Sequence, residues 1–170
     1  MSQVLLRRQK TRIVGEPNLI KRILVPLDGS EPADIALHFA LDLAEKYSAE
    51  IVLLSVVPPV TLPIVASPAT GMLHIPPVAM GAYQKELKDN HEKMLSEALR
   101  KTKQTKPNLK VSTVVAEGRP SDKIVETAKE GNFDIIVMGS RGLGGIKEFF
   151  LGSVSDRVAD EAPCPVLIVK

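Results

Sequence analysis

The chain has no tryptophan, only two tyrosines and four phenylalanines, and a single cysteine in 170 residues. With so little aromatic bulk, any core must be built from Val, Ile, Leu and Ala, which the hydrophobic content of 44% allows. One cysteine excludes an internal disulfide. Cys164 stands between Pro163 and Pro165 ahead of an apolar run, and reads as a small buried residue entering a strand rather than a reactive thiol. No apolar run reaches the ~18–20 residues of a membrane span. The opening "MSQVLLRRQKTRIVGEP" has no long apolar stretch, so neither a signal peptide nor a membrane partner is expected, and the expected location is cytoplasmic. Neither sign of charge dominates: 22 cations against 20 anions leave +2, which argues against nucleic acid as the main partner. The histidines are too scattered for a metal set. His38 lies inside an apolar helical pattern and is expected to pack there, half-buried.

What is present is a regular alternation. Residues 1–20 form a basic extension with Arg7, Arg8, Lys10 and Arg12 and no helical or strand period. Residues 21–170 form one domain, a length suited to a single core. Ile23, Leu24, Val25 and Leu27 make a short strand, with Pro26 near its end. Asp28-Gly29-Ser30 breaks the chain, Ser30 can cap a helix with Pro32 in its first turn, and Ala36, Ala40, Leu43 and Tyr47 recur at helical spacing. "EIVLLSVVP" is a strand covered on both faces. Residues 58–81 carry six prolines and no charge, and read as a long loop insertion. A helix follows with Tyr83, Leu87, Met94, Leu95, Ala98 and Leu99 inward and "KELKDNHEK" outward. "LKVSTVVAEG" alternates as an edge strand. A helix capped by Ser121 and stopped by Gly131, the buried strand "FDIIVMG", a helix capped by Ser153 with Asp156 at the capping-box position, and the strand "CPVLIVK" complete the chain. Strands alternating with helices predict an α/β fold with a parallel, helix-covered sheet.

The stretch "GSRGLGGIKEFFLGS", Gly139 to Ser153, follows the last but one strand and holds five glycines in fifteen residues. It fails two nucleotide templates. Counted from Gly139, the second glycine of a Walker loop falls at Gly144, but Gly145 stands where lysine is required. A dinucleotide fingerprint begins at Gly142-Leu143-Gly144 but meets Lys147 at its last glycine. The elements of anion binding are present all the same. Gly139 and Gly142 allow close approach, and Gly152 precedes Ser153, Val154 and Ser155, which open a helix whose first amides lack partners. The same glycines could serve turns alone.

The spacing Gly139-x2-Gly142-x9-Gly152-Ser153, together with "KRILVPLDGS", "VVAEGRPSDKIVETAKE" and "APCPVLIVK", resembles the ATP-binding universal stress proteins over residues ~20–170. The resemblance implies a single-domain, Rossmann-like open parallel five-stranded sheet of order 3-2-1-4-5 with helices on both faces. It places Asp28-Gly29 and Gly139-Ser140 side by side, where strand order reverses and ligands enter such sheets. Carried over by position, it implies that Pro26, Leu27 and Asp28 line the nucleoside, that Val56 meets the adenine through its backbone, and that Met138 and Gly139 flank the ribose. Gly118 approaches the ribose, while Gly142, Gly152, Ser153, Val154 and Ser155 hold phosphates. Asp28 bonds ribose hydroxyls or shares a Mg²⁺ with ATP, unless it is only a turn residue bonding its own backbone. Arg141 and Lys147 either neutralise phosphate or are solvated.

No residue near the loop qualifies as a catalytic base. Glu148 is the nearest carboxylate, and His38, His74 and His91 lie elsewhere. The expected function is therefore an ATP-binding (or ADP- or AMP-binding) regulatory switch or sensor in stress responses. The alternatives are a slow ATP hydrolase and a nucleotide-free dimeric interaction protein. The last strand, residues 166–170, is an apolar edge, and the resemblance implies a homodimer through it. Phe149 and Phe150 are expected to anchor the loop to apolar surface.

Overall fold

The computed structural model describes residues 19–60, 66–67, 71–72, 77–142 and 151–170. The elements in chain order are β1 (Arg22–Pro26), α1 (Glu31–Tyr47), β2 (Glu50–Val57), β3 (Ala66–Ser67), β4 (Gly71–Met72), α2 (Pro77–Thr105), β5 (Val111–Glu117), α3 (Pro120–Glu130), β6 (Ile135–Gly139), α4 (Ser153–Glu161) and β7 (Val166–Val169). Five strands form one parallel sheet in the order β5-β2-β1-β6-β7, which is 3-2-1-4-5 when its own strands are counted. The expected architecture holds. Most of the basic extension, residues 1–18, lies outside the described residues.

Hydrophobic burial drives this arrangement from both sides of the sheet. Ile23, Val25, Leu27, Ile51, Leu53 and Val137 turn to one face, where Ala36, Ala40 and Ala44 of α1 and Leu95 of α2 cover them. Leu24, Val52, Leu54, Ile136 and Met138 turn to the other, beneath Ile124 and Ala128 of α3 and Val158 of α4. Small alanines on α1 let the helix sit close to the strands, which suits a core without large aromatics. Every β2 residue from Ile51 to Val57 is buried, as the nearly continuous apolar run predicts. β5, with four of its seven residues exposed, is the edge strand its alternation predicts.

At the base of the sheet, Asp134 ties the starts of β1 and β6 by accepting the amides of Lys21 (2.8 Å) and Arg22 (3.0 Å). The Arg22 guanidinium lies 4.6 Å over the Phe133 ring and donates to Gly131 O. Cys164 borders the second core but is half-buried rather than buried as expected. Burial first, and the Asp134 carboxylate second, push its thiol up to about 11 against the opposing amide of Ile136, so it stays protonated and inert near neutral pH.

Several local expectations are corrected. α2 begins at Pro77, inside the segment read as loop, because proline bars a helix from continuing through it but suits the first helical position. β3 and β4 also pair within that segment. Tyr83 is not inward but 49% exposed. The 29 residues of α2 span about 43 Å at 1.5 Å each. The eight of β2 reach only about 26 Å at 3.3 Å each. The N-terminal turns of α2 therefore outrun the sheet. His38 is exposed rather than half-buried, since the buried face of α1 is formed by Ala33, Ala36, Leu37, Ala40, Leu41 and Ala44 and His38 lies off it. Arg119, not Ser121, is the N-cap of α3, with Pro120 behind it, and Gly152, not Ser153, is the N-cap of α4.

Candidate functional site

The chain leaves β1 for α1 on one face of the sheet and leaves β6 for α4 on the other. β1 and β6 are neighbours, so their carboxyl ends diverge and a crevice opens between them. Pro26 sharpens this opening. In a parallel ladder alternate residues turn their N–H and C=O to the same neighbour, and Pro26 falls on the β6-facing set. It brings no N–H, and the paired β1–β6 register stops earlier, at Leu24 opposite Ile136.

Asp28 and Gly29 follow in this opening. Asp28 Oδ1 accepts the Ser30 amide at 3.0 Å and the Ser30 hydroxyl at 2.6 Å. This is the local turn role foreseen for an aspartate here. It also means that Ser30, although it is the N-cap of α1, spends its hydroxyl on Asp28 rather than on the helix. The other oxygen, Oδ2, reaches the glycine stretch: a Cβ built on Gly142 would lie 2.3 Å from it. Asp28 and Gly142 are thus in contact across the crevice, close to where the strand order implied by the family resemblance brings Asp28-Gly29 beside Gly139-Ser140.

The two ends of the glycine stretch are clasped at one atom. Ser140 O accepts the Gly152 amide at 2.9 Å and the Ser155 hydroxyl at 2.8 Å. Ser155 is 2% exposed and its hydroxyl also meets Gly152 O. Its side chain therefore locks the clasp, and only its amide is left for a ligand. Ser153 is exposed and Val154 half-buried at the open start of α4. Gly152 gives α4 no side-chain cap, so among the described residues the amides of its first turn have no capping partner. The first turn of α1 carries two carboxylates, Glu31 and Asp34, against the single Asp156 of α4, so an anion is opposed more strongly at α1. Residues 143–150, which include Gly144, Gly145, Lys147, Glu148, Phe149 and Phe150, lie outside the described residues.

The remaining site residues divide. Gly139 is buried against α1: a Cβ on it would meet Pro32 C at 2.7 Å and Ala33 N at 2.9 Å. Its glycine is required by helix packing, which the motif did not reveal. Met138 is buried with its side chain in the second core, and Val56 likewise, so each can meet a ligand only through backbone. Val56 falls on the β1-facing set of β2, just past the last β1–β2 pair, Pro26 opposite Leu54. Its amide and carbonyl therefore face the β1 side, past the end of that strand. Gly118, at φ +141°, follows β5, its amide on Val57 O at 3.0 Å, and stands farther out along the same edge. Arg141 is half-buried and its carbonyl lies 3.4 Å from the Ser30 hydroxyl.

One pair escaped the sequence reading. Ser55 is fully buried in β2, with its hydroxyl 2.9 Å from Leu27 O and 2.7 Å from His91 Nδ1. The signal was there: Ser55 is the one polar residue in "IVLLSVV", and a buried hydroxyl needs partners. Among the described residues no group of His, Cys, Asp and Glu is arranged to hold a metal, and no helix is long and apolar enough to cross a membrane.

The sequence matches the family model described as the universal stress protein family over residues 19–170. The universal stress protein YxiE of Bacillus subtilis is 36% identical over 152 residues, covering 89% of this chain and 100% of that one. Among solved structures, UspA from Lactobacillus plantarum superimposes with a TM-score of 0.73 at 27% identity, over 89% of this chain and 98% of that one. Two more distant structures share the fold, each over 89% of this chain. One is a universal stress protein in complex with cAMP (21% identical, 97% of that chain, TM-score 0.52). The other, from Archaeoglobus fulgidus, is in complex with dAMP (20% identical, 99% of that chain, TM-score 0.52). Shared sheet order and sequence matched across nearly the whole described domain lead to one conclusion: the chain belongs to the universal stress protein family.

Proposed function

We propose that this chain is an ATP-binding regulatory protein of the cytoplasm, a nucleotide-dependent switch or sensor in a stress response. The observation that carries the reading is the clasp at Ser140, which joins Gly142 to the uncapped first turn of α4 directly opposite Asp28. In this reading the base lies on the backbone of Val56 beside Pro26 and Leu27. The ribose lies between Asp28, Gly118, Met138 and Gly139. The phosphates lie on Gly142, Gly152 and the amides of Ser153, Val154 and Ser155, with Arg141 as the neighbouring cation. Asp28 Oδ2 is the group that would bond a ribose hydroxyl or share Mg²⁺ with the phosphates. Solved members of the fold are in complex with cAMP and with dAMP, which agrees with a nucleotide ligand.

The amides of α4 can be tested without disturbing the fold. Ser153 is the first helical residue, where proline is favoured, and Gly152 before it already has φ −67° and ψ 153°, the region a pre-proline residue prefers. Ser153→Pro therefore removes one amide donor at little cost to stability. In calorimetry with ATP, ADP and AMP, it is expected to weaken ATP by roughly tenfold, the scale of one charge-assisted hydrogen bond. Ser153→Ala, which keeps the amide, is expected to lose much less. Equal ATP affinity in the wild type and Ser153→Pro would refute phosphate binding at α4.

We further propose a homodimer through β7. All four of its residues, Val166–Val169, are half-exposed at the open edge beyond β6, an apolar edge that pairing would cover. Light scattering at micromolar concentration should give twice the chain mass of 18.4 kDa, and a monomer would refute it.

A further inference from the structure

We infer that His91, on α2, is a positioning residue for the base end of this site, acting through Ser55 on Leu27 and Val56. The inference rests on the nucleotide reading and adds to it a residue outside the glycine motif. Ser55 Oγ has one proton. Given to Leu27 O at 2.9 Å, it leaves the oxygen as acceptor in the 2.7 Å contact with His91 Nδ1. His91 must then carry its proton on Nδ1. The imidazole thereby fixes the direction of a hydroxyl buried at 0% exposure, and the hydroxyl fixes the carbonyl where β1 leaves the sheet.

That carbonyl matters because of the ladder. Leu27 N–H donates to Leu54 O at 2.8 Å, so the next donor to Leu27 O in the parallel pattern is Val56 N–H. With the Ser55 hydroxyl on that carbonyl, the Val56 amide can be given to a base edge. In the opposite arrangement, with the His91 proton on Nε2, Ser55 turns its proton to the ring, Leu27 O loses the hydroxyl, and Val56 N–H is drawn back into the ladder. The same face of α2 braces the neighbouring turn. Met94, one helical turn after His91, places Sδ 3.2 Å from where a Cβ on Gly29 would stand, and Gly29 has φ +81°. One helix face thus touches both strand ends that the base would contact.

Two measurements test this. In the nucleotide-free wild-type chain, long-range ¹H–¹⁵N spectra of His91 should show protonated Nδ1; a neutral ring protonated on Nε2 overturns the inference whatever the protein binds. In calorimetry, His91→Ala and Ser55→Ala should each lower ATP affinity about fivefold or more and reduce the preference for ATP over GTP. Inhibition by inorganic triphosphate should stay unchanged. His91→Asn, whose amide can still donate to Ser55 Oγ, should recover part of both effects with a melting temperature no higher than that of His91→Ala. Wild-type ATP affinity and ATP-to-GTP preference in His91→Ala would sink the inference alone. Absence of ATP binding by the wild type would sink the nucleotide reading, and this inference with it.

Discussion

Gly142→Val is expected to reduce ATP affinity by more than tenfold, over about 1.4 kcal/mol, while the chain stays folded. The cause is a contact that no rotamer relieves at low cost. A Cβ at Gly142 would lie 2.3 Å from Asp28 Oδ2, closer than real Cβ contacts come. The carboxylate is not free to swing away, because its other oxygen holds both the amide and the hydroxyl of Ser30. Either Asp28 releases the start of α1, or the 139–142 segment withdraws from the crevice. Both outcomes change the distance between the group proposed to meet ribose or Mg²⁺ and the segment proposed to meet phosphate. Stability should fall less than at a buried glycine, because Gly142 is exposed and the atom met is a side-chain oxygen rather than backbone. Calorimetry beside a thermal melt checks both halves. An unchanged melt with unchanged ATP affinity would mean that the glycine spacing serves the loop and not a ligand.

How far the sequence speaks can be judged from these same residues. The alternation of strands and helices was legible because most strands are short apolar runs bounded by Gly, Pro or Asp, whereas the strand order 3-2-1-4-5 was implied by the family resemblance and not by local pattern. The three motif glycines were legible as a set but not one by one. Gly142 faces Asp28 and Gly152 heads α4, whereas Gly139 is shaped by Pro32 and Ala33, more than a hundred positions away in sequence. Ser155 looked like a phosphate donor and is the bolt of the clasp, because burial decides what a hydroxyl can reach. His91 sat inside "KELKDNHEK", a charged helix face, and its contact with Ser55 depends on how α2 lies across β2. Tyr83 failed for a related reason, since helical spacing tells which face a residue shares but not whether the sheet extends far enough to cover it.

Gly139→Ala is expected to have the largest effect on stability of any motif substitution, about 2–3 kcal/mol, in the upper part of the overpacking range. Unlike the contact at Gly142, this one is with backbone. The added methyl would stand 2.7 Å from Pro32 C, 2.9 Å from Ala33 N and 2.9 Å from Pro32 O. No side chain can rotate aside, so the first turn of α1 must lift from β6. That turn is held down by buried Ala33 and Ala36 and by Ser30 O, which accepts the amides of Ala33 and Asp34 at 3.1 Å. For a chain of this length the loss corresponds to a melting temperature lower by about 5–10 °C. Lifting α1 also moves Ser30, and with it Asp28, so ATP affinity should fall in parallel with stability rather than independently of it, as at Gly142. Urea and thermal denaturation of Gly139→Ala against the wild type measure the first effect, and calorimetry well below the transition measures the second. A melting temperature within about 2 °C of the wild type, roughly 1 kcal/mol or less at this chain length, would show that α1 yields at Pro32. The glycine would then have to be explained by the ligand instead.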